Sequence, residues 1–248
     1  MTTHGLYVYA IVPAGQRVPP GLRGVGTPPT ALRVLSQGRI SAVVSEAPPK
    51  LRPRRRDLLA HQEVLRRLIE GGPVLPTQFG MVALDEASLS EQLANAEAQH
   101  VPALERVAGR VEMNVKALPA SDALAHLVRE DSGIRRLREE ARRRPGYEAN
   151  VKLGEALVSA LSGRAAVAGR QAVVLLTPLS HAVAAGPEVS GCVLNMSFLV
   201  DEADGERFEK AAARFAALHR DRVELRVSGP LPCYSFVEPA ASLAGAGA

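Results

Sequence analysis

A chain of 248 residues with 46% hydrophobic and 23% charged side chains can bury a sizeable core, which excludes a disordered chain. The longest apolar runs, Ala172–Leu179 and Cys192–Val200, fall short of the ~18–20 residues that cross a bilayer, so they read as buried strands and no membrane contact is expected. The formal charge of +4 invites a nucleic-acid reading, but lysine occurs only at positions 50, 116, 152 and 210, and the arginine runs lack interleaved aromatics on which bases would stack.

The first patterned segment, Leu6–Val12, sets Tyr7 and Tyr9 on one face against Leu6, Val8 and Ala10 on the other. Both faces are apolar or aromatic, so it reads as a central strand. Residues 13–29 are crowded with Gly and Pro and form a loop. Leu32–Leu35 and Arg39–Ser45 then read as a hairpin turning at Gln37-Gly38. After the Pro-rich stretch 47–56, Asp57 is the expected N-cap of a helix with Leu58, Leu65, Leu68 and Ile69 on one face, ended by Gly71-Gly72-Pro73.

Val74–Leu84 is extended but broken by Pro76 and Gly80. Ser88 to Glu91 has capping-box spacing and opens a helix with Leu89, Leu93, Ala96 and Leu104 inward, which Pro102 is expected to kink or split. Gly109 stops it, and Val111–Leu118 alternates as a strand. Pro119-Ala120-Ser121 is the expected boundary between an N-terminal domain, 1–118, and a C-terminal one, 119–238.

The second half opens with a helical insertion over 121–168: a helix Ser121–Arg144 with Leu124, Leu127, Val128, Ile134 and Leu137 as apolar positions, then another from Tyr147 to Ala168. Strands at Ala172–Leu179 and Cys192–Val200 follow, separated by a Pro/Ala/Gly linker. Asp204 caps a helix with Phe208, Ala211, Ala212, Phe215 and Leu218 inward, and Val223–Val227 is a strand. A turn at Gly229-Pro230 leads to a last aromatic strand, and 239–248 reads as a flexible tail. The element order gives α+β, two domains, each a small mixed sheet with packed helices, ferredoxin-like variants of the split β-α-β type, the second with added helices.

No residue group points to catalysis. His61 and His100 both fall on the inner faces of helices, where satisfied core imidazoles are the ordinary outcome and a metal site needs a third ligand that neither has nearby in sequence. The glycines at 21, 24 and 26 lack the Lys-Ser/Thr of a phosphate loop. Asp201 to Glu206 opens a helix, where acids suit the dipole, and lacks the ligand ladder of a calcium loop. Cys192 and Cys233 have no metal-ligand spacing and read as reduced cytoplasmic thiols. No catalytic, cofactor or metal residue is therefore expected. Arg54, Arg55 and Arg56, in a basic loop able to steer an acidic partner, and Tyr234 and Phe236, in the last aromatic segment, are the candidate partner contacts.

Taken in order, Leu6–Val12, Gly38–Glu46, His61–Leu65, Val74–Gly80, Pro145-Gly146-Tyr147 with Lys152, Val193–Val200 and Gly229–Val237 resemble the gas vesicle protein F/L family along nearly the whole chain. Ala10 stands where that family often has Gly, and Cys233 where a second Pro is usual; the motifs do not separate an F-like from an L-like chain. The resemblance implies a non-enzymatic minor structural or assembly protein of the gas vesicle, within the cytoplasm. Its implied partners are the major shell protein and other accessory vesicle proteins. The alternative from charge alone is a nucleic-acid-binding module using Lys50–Arg56 and Arg135–Arg144.

Overall fold

The computed structural model describes residues 5–49 and 51–237. The expectation of a flexible tail over 239–248 concerns residues outside that range, as does Lys50 of the basic loop. The chain divides into two compact units, Met1–Glu112 with Leu231–Ala248, and Met113–Pro230. Both combine helices with a sheet, so the fold is α+β.

In the first unit, strand β1 (Leu6–Pro13) lies inside a five-stranded sheet. Strands β2 (Arg33–Gln37) and β3 (Ile40–Glu46) form the expected hairpin, and β1 pairs antiparallel with β3 on one side. The short strands β4 (Leu75–Pro76) and β5 (Val82–Ala83) pair antiparallel with it on the other. Seven of its eight residues are buried, as two apolar faces require. Helix α1 (Arg55–Ile69) covers the face carrying Tyr7 and Tyr9 through Val64, Leu65 and Leu68. Helix α2 (Glu86–Val107) packs against β1, β2 and β3 with Leu89, Leu93, Ala96 and Leu104 buried. Each such buried leucine contributes about 1.5–3 kcal/mol of transfer free energy.

Both helix starts differ from expectation. α1 begins at Arg55, and Asp57 is a buried first-turn residue whose carboxylate accepts from the Gly26 N–H at 3.2 Å instead of capping. α2 is capped by Asp85, whose side chain accepts from Ser88 N–H, three residues upstream of the expected cap. The helix continues through Pro102 without being split. Leu58 is 36% exposed, outside the inner face assigned to it.

The second unit holds a four-stranded sheet. Its strands are β6 (Arg110–Pro119, whose first residues belong to the first unit), β7 (Ala182–Ala185), β8 (Leu194–Asp201) and β9 (Val223–Leu231), in the order β7-β8-β6-β9. The helical insertion contains three helices where two were expected: α3 (Ala123–Glu130), α4 (Ser132–Arg143) and α5 (Tyr147–Leu176). Asp131 ends α3 and caps α4, accepting from the N–H groups of Gly133 and Ile134 at 2.9 and 3.1 Å.

Three further expectations are corrected. The Ala172–Leu179 run is not a strand; α5 continues to Leu176, and a 3-10 turn takes Thr177–Leu179. A short apolar run suits a strand or a buried helix equally, and here Ala165, Ala168, Gly169, Ala172 and Leu176 recur at helical spacing on the buried face. A Cβ on Gly169 would lie 3.0 Å from that of Ala117, so the small residues let α5 lie close on β6. The missing strand is Ala182–Ala185, hidden in the supposed linker because alanine has little strand preference and pairing with β8 supplies the order. At the other end β9 runs through Gly229-Pro230, and Tyr234–Phe236 is a 3-10 turn instead of a strand. Helix α6 (Gly205–Leu218) buries Phe208, Ala211, Ala212 and Phe215, while Leu218 is 78% exposed.

Candidate functional site

A buried polar and aromatic arrangement of the first unit lies under α1. The register of β1 against β3 steps from Val8↔Val44 to Ala10↔Val43, so Tyr9 is an unpaired bulge residue. Tyr7 and Tyr9 lie with ring centroids 4.7 Å apart, and His61 stacks beside Tyr9 at 5.6 Å. Nε2 of His61 is 3.2 Å from the Thr77 carbonyl, which only accepts, so Nε2 carries the proton. Nδ1 therefore accepts from the Tyr7 hydroxyl at 2.9 Å, whose oxygen in turn accepts from the Gly80 N–H at 3.3 Å. Phe79 closes the cluster edge-on to both Tyr7 and His61.

Tyr9 has an equally complete set. Its oxygen accepts from Val25 N–H at 2.7 Å, and it donates to Ser45 Oγ at 3.1 Å, which passes its own proton to the Glu46 carbonyl. Gly24 lies so close to this hydroxyl that a Cβ there would stand 2.1 Å from the Tyr9 oxygen. The glycine-rich loop is thus packed onto the tyrosine by its lack of side chain. Thr77 ties the next segment to β1, donating from Oγ1 to the Val8 carbonyl at 2.7 Å.

The 3-10 turn Tyr234–Phe236 completes the unit. Glu112 is buried and accepts from both the backbone N–H and the hydroxyl of Ser235, each at 2.8 Å. The Arg106 guanidinium donates to the Phe236 carbonyl at 3.1 Å, and the Cys233 thiol points at the Arg110 carbonyl at 3.6 Å. The Tyr234 hydroxyl sits 3.4 Å from Nε2 of His61.

These placements set the protonation states. Burial holds the His61 imidazole down at about 4, with the Thr77 carbonyl opposing, and burial lowers His100 as well. Burial raises Tyr7 and Tyr9, and it pushes Tyr234 up to about 12, helped by the Glu112 charge. Burial beside the same carboxylate pushes the Cys233 thiol up to about 12. At neutral pH the cluster holds neutral rings whose polar atoms face one another.

The candidate contact residues are placed apart from it. Arg54, Arg55 and Arg56 are exposed at the start of α1, and of the three only Arg56 approaches a carboxylate among the described residues, that of Asp57 at 3.5 Å. Tyr234 keeps 39% of its surface exposed, whereas the ring of Phe236 is buried, so of the two aromatic side chains Tyr234 alone presents a substantial face to solvent. His61 and His100 are both buried; among the described residues no three His, Cys, Asp or Glu side chains come together as a ligand set. Sequence spacing gave no sign of the Glu112–Ser235 or Tyr7–His61 pairs. A signal was present in another form: the quoted segments contribute Tyr7 and Tyr9, Ser45, His61, Thr77 with Phe79, and Tyr234, and these converge here.

The characteristic segments of this α+β protein thus meet in an internal, hydrogen-bonded cluster. Residues 5–238 match the family described as gas vesicle synthesis protein GvpL/GvpF, and the chain belongs to that family. It is 37% identical to gas vesicle protein F of Streptomyces sp. (strain CB03234), over 94% of this chain and 99% of that one. It is 29% identical to gas vesicle protein L of the same organism, over 93% and 91%. The fold matches the crystal structure of the gas vesicle protein GvpF from Anabaena sp. PCC7120, with a TM-score of 0.76 at 23% identity, covering 95% of this chain and 98% of that one. It also matches GvpF from Microcystis aeruginosa, with a TM-score of 0.72 at 21% identity, covering 95% and 100%. No helix among the described residues is long and apolar enough to cross a membrane.

Proposed function

We propose that this protein is a non-catalytic structural or assembly component of the gas vesicle, working within the cytoplasm by binding the major shell protein and other vesicle proteins. Family membership along residues 5–238 carries the reading. The chemistry agrees with it: the histidine and tyrosines that the family segments supply are spent on internal hydrogen bonds, leaving surfaces as the means of action. Arg54, Arg55, Arg56 and Tyr234 are the contact positions in the first unit that this reading favours, the arginines as a steering charge and Tyr234 as an amphipathic ring.

Deleting the gene in a vesicle-forming host and imaging the cells by electron microscopy tests the role. Vesicles are expected to be absent, sparse or misshapen, with restoration by the intact gene. Normal number and shape would overturn the proposal.

A further inference from the structure

The helical insertion of the second unit carries an open groove of about 860 Å3 that the internal packing leaves unfilled. Its floor is apolar: Leu124 and Val128 from α3, Ile134 from α4, Leu153 and Leu157 from α5. Leu124 is 46% exposed although it sits on the apolar side of its helix. On another side of α5, Tyr147, Val151 and Val158 are 87%, 39% and 65% exposed. With Gly154 these positions follow the alternating four- and three-residue steps of a helix seam that expects a partner helix. Nothing lies within 4 Å of where a Gly154 side chain would begin, so a second backbone has room to approach there.

The rim supplies the charge. Arg129 and Arg138 line the groove against a single carboxylate, Asp122, and neither guanidinium is paired with a carboxylate among the described residues; Arg129 turns instead to the Ala125 carbonyl and the His126 ring. Two other arginines of the insertion pair, Arg143 with Glu139 and Arg164 with Glu130. α4 carries five arginines against two glutamates, so a second copy docking through the same helical insertion would bring a basic helix to this rim. The groove instead matches a helix with apolar residues on one face and carboxylates flanking them.

We infer that this groove binds an acidic amphipathic helix of another gas vesicle protein, an assignment that rests on the proposed function for the identity of the partner's source. α4 spans ~18 Å at 1.5 Å per residue, so about three turns of the partner are seated, anchored at i, i+4 and i+7 over Leu124, Leu153 and Leu157. Arg129 and Arg138 meet the flanking carboxylates.

The experiment uses the tagged full chain in vesicle-forming cells, with a photoreactive benzoylphenylalanine in place of Leu124 and, in parallel, no photolabel. Irradiation is expected to join position 124 to a helical segment of a vesicle protein with Asp or Glu beside its apolar face. Reversal of both rim charges, Arg129→Glu with Arg138→Glu, is expected to reduce that adduct and the affinity roughly tenfold at low salt, and less at high salt. Arginines placed at the partner's flanking acids are expected to restore it. Both arginines are exposed, and an unchanged circular dichroism melt of the variant confirms its fold. Adducts with a second copy of this chain, with a segment lacking acids, or insensitive to the reversal would overturn the inference. Vesicle proteins co-purifying with the unlabelled chain while position 124 traps none would overturn the groove and leave the proposed function standing. No co-purifying vesicle protein at all would overturn both.

Discussion

The Tyr7 hydroxyl donates to Nδ1 of His61 at 2.9 Å, across 54 residues of chain, and so fixes a neutral imidazole inside the first unit. That bond joins the opening strand to α1, and the burial of the imidazole it holds governs how His61 responds to acid.

His61 is held at about 4 in the folded protein against 6.5 when unfolded. The unfolded chain therefore gains a proton first as pH falls, and stability must fall with it. The full contribution is present above pH 6.5 and is lost between there and about 4, a loss of about 3 kcal/mol. Urea melts from pH 7.5 to 4.5 check this: the wild type should lose midpoint through that window, and His61→Gln should flatten that part of the profile. A wild-type slope unchanged by the substitution would show that another group is responsible. Tyr7→Phe, which leaves the imidazole nitrogen without its donor, should cost about 1–3 kcal/mol at pH 7.5.

Gly24 and Tyr9 make a second pair that one change should disrupt. Adding a methyl group to Gly24 places carbon 2.1 Å from the Tyr9 oxygen, which Val25 and Ser45 hold in place. Gly24→Ala should destabilise by about 1–3 kcal/mol, the range for an overpacked core. Combining it with Tyr9→Phe should recover part of that loss, seen as a non-additive double-mutant cycle from denaturant midpoints. Strict additivity would mean the loop moves aside freely.

The Glu112 carboxylate holds Ser235 by two bonds of 2.8 Å. Glu112→Ala should free the terminal turn and expose the neighbouring thiol. A disulfide-exchange reagent should titrate Cys192 promptly and Cys233 slowly in the native wild type, since Cys233 is 4% exposed and its thiol is held up to about 12. In the variant both should react promptly. Continued protection of Cys233 would show that packing alone secures the turn.

Much of this architecture was legible as periodicity. The two apolar faces of Leu6–Val12 marked a central strand, and Gln37-Gly38 between alternating runs marked the hairpin. Legibility failed where local pattern and tertiary partner compete. Ala172–Leu176 is equally apolar as strand or helix, and in the fold it continues the small-residue helical face on which Gly169 approaches Ala117. Ala182–Ala185 has no intrinsic strand preference and is ordered by its partner β8. Tyr234 and Phe236 looked like alternate strand positions, but the double hold of Glu112 on Ser235 belongs to a turn. The cluster around His61 could not be read from spacing because its members come from five separate segments.

The return of the chain to its first unit has a consequence for synthesis. The Tyr234–His61 contact spans 173 residues, and every residue of the second unit is translated between its two halves. The N-terminal unit therefore leaves the ribosome unfinished, with the Glu112 carboxylate waiting for Ser235 and the edge beside His61 uncovered until the other unit has emerged. Completing the unit closes a loop that contains the whole second unit, at an entropic cost that grows slowly with its length. A product that ends before Tyr234 lacks both the Glu112–Ser235 bonds and the Tyr234 contact with His61.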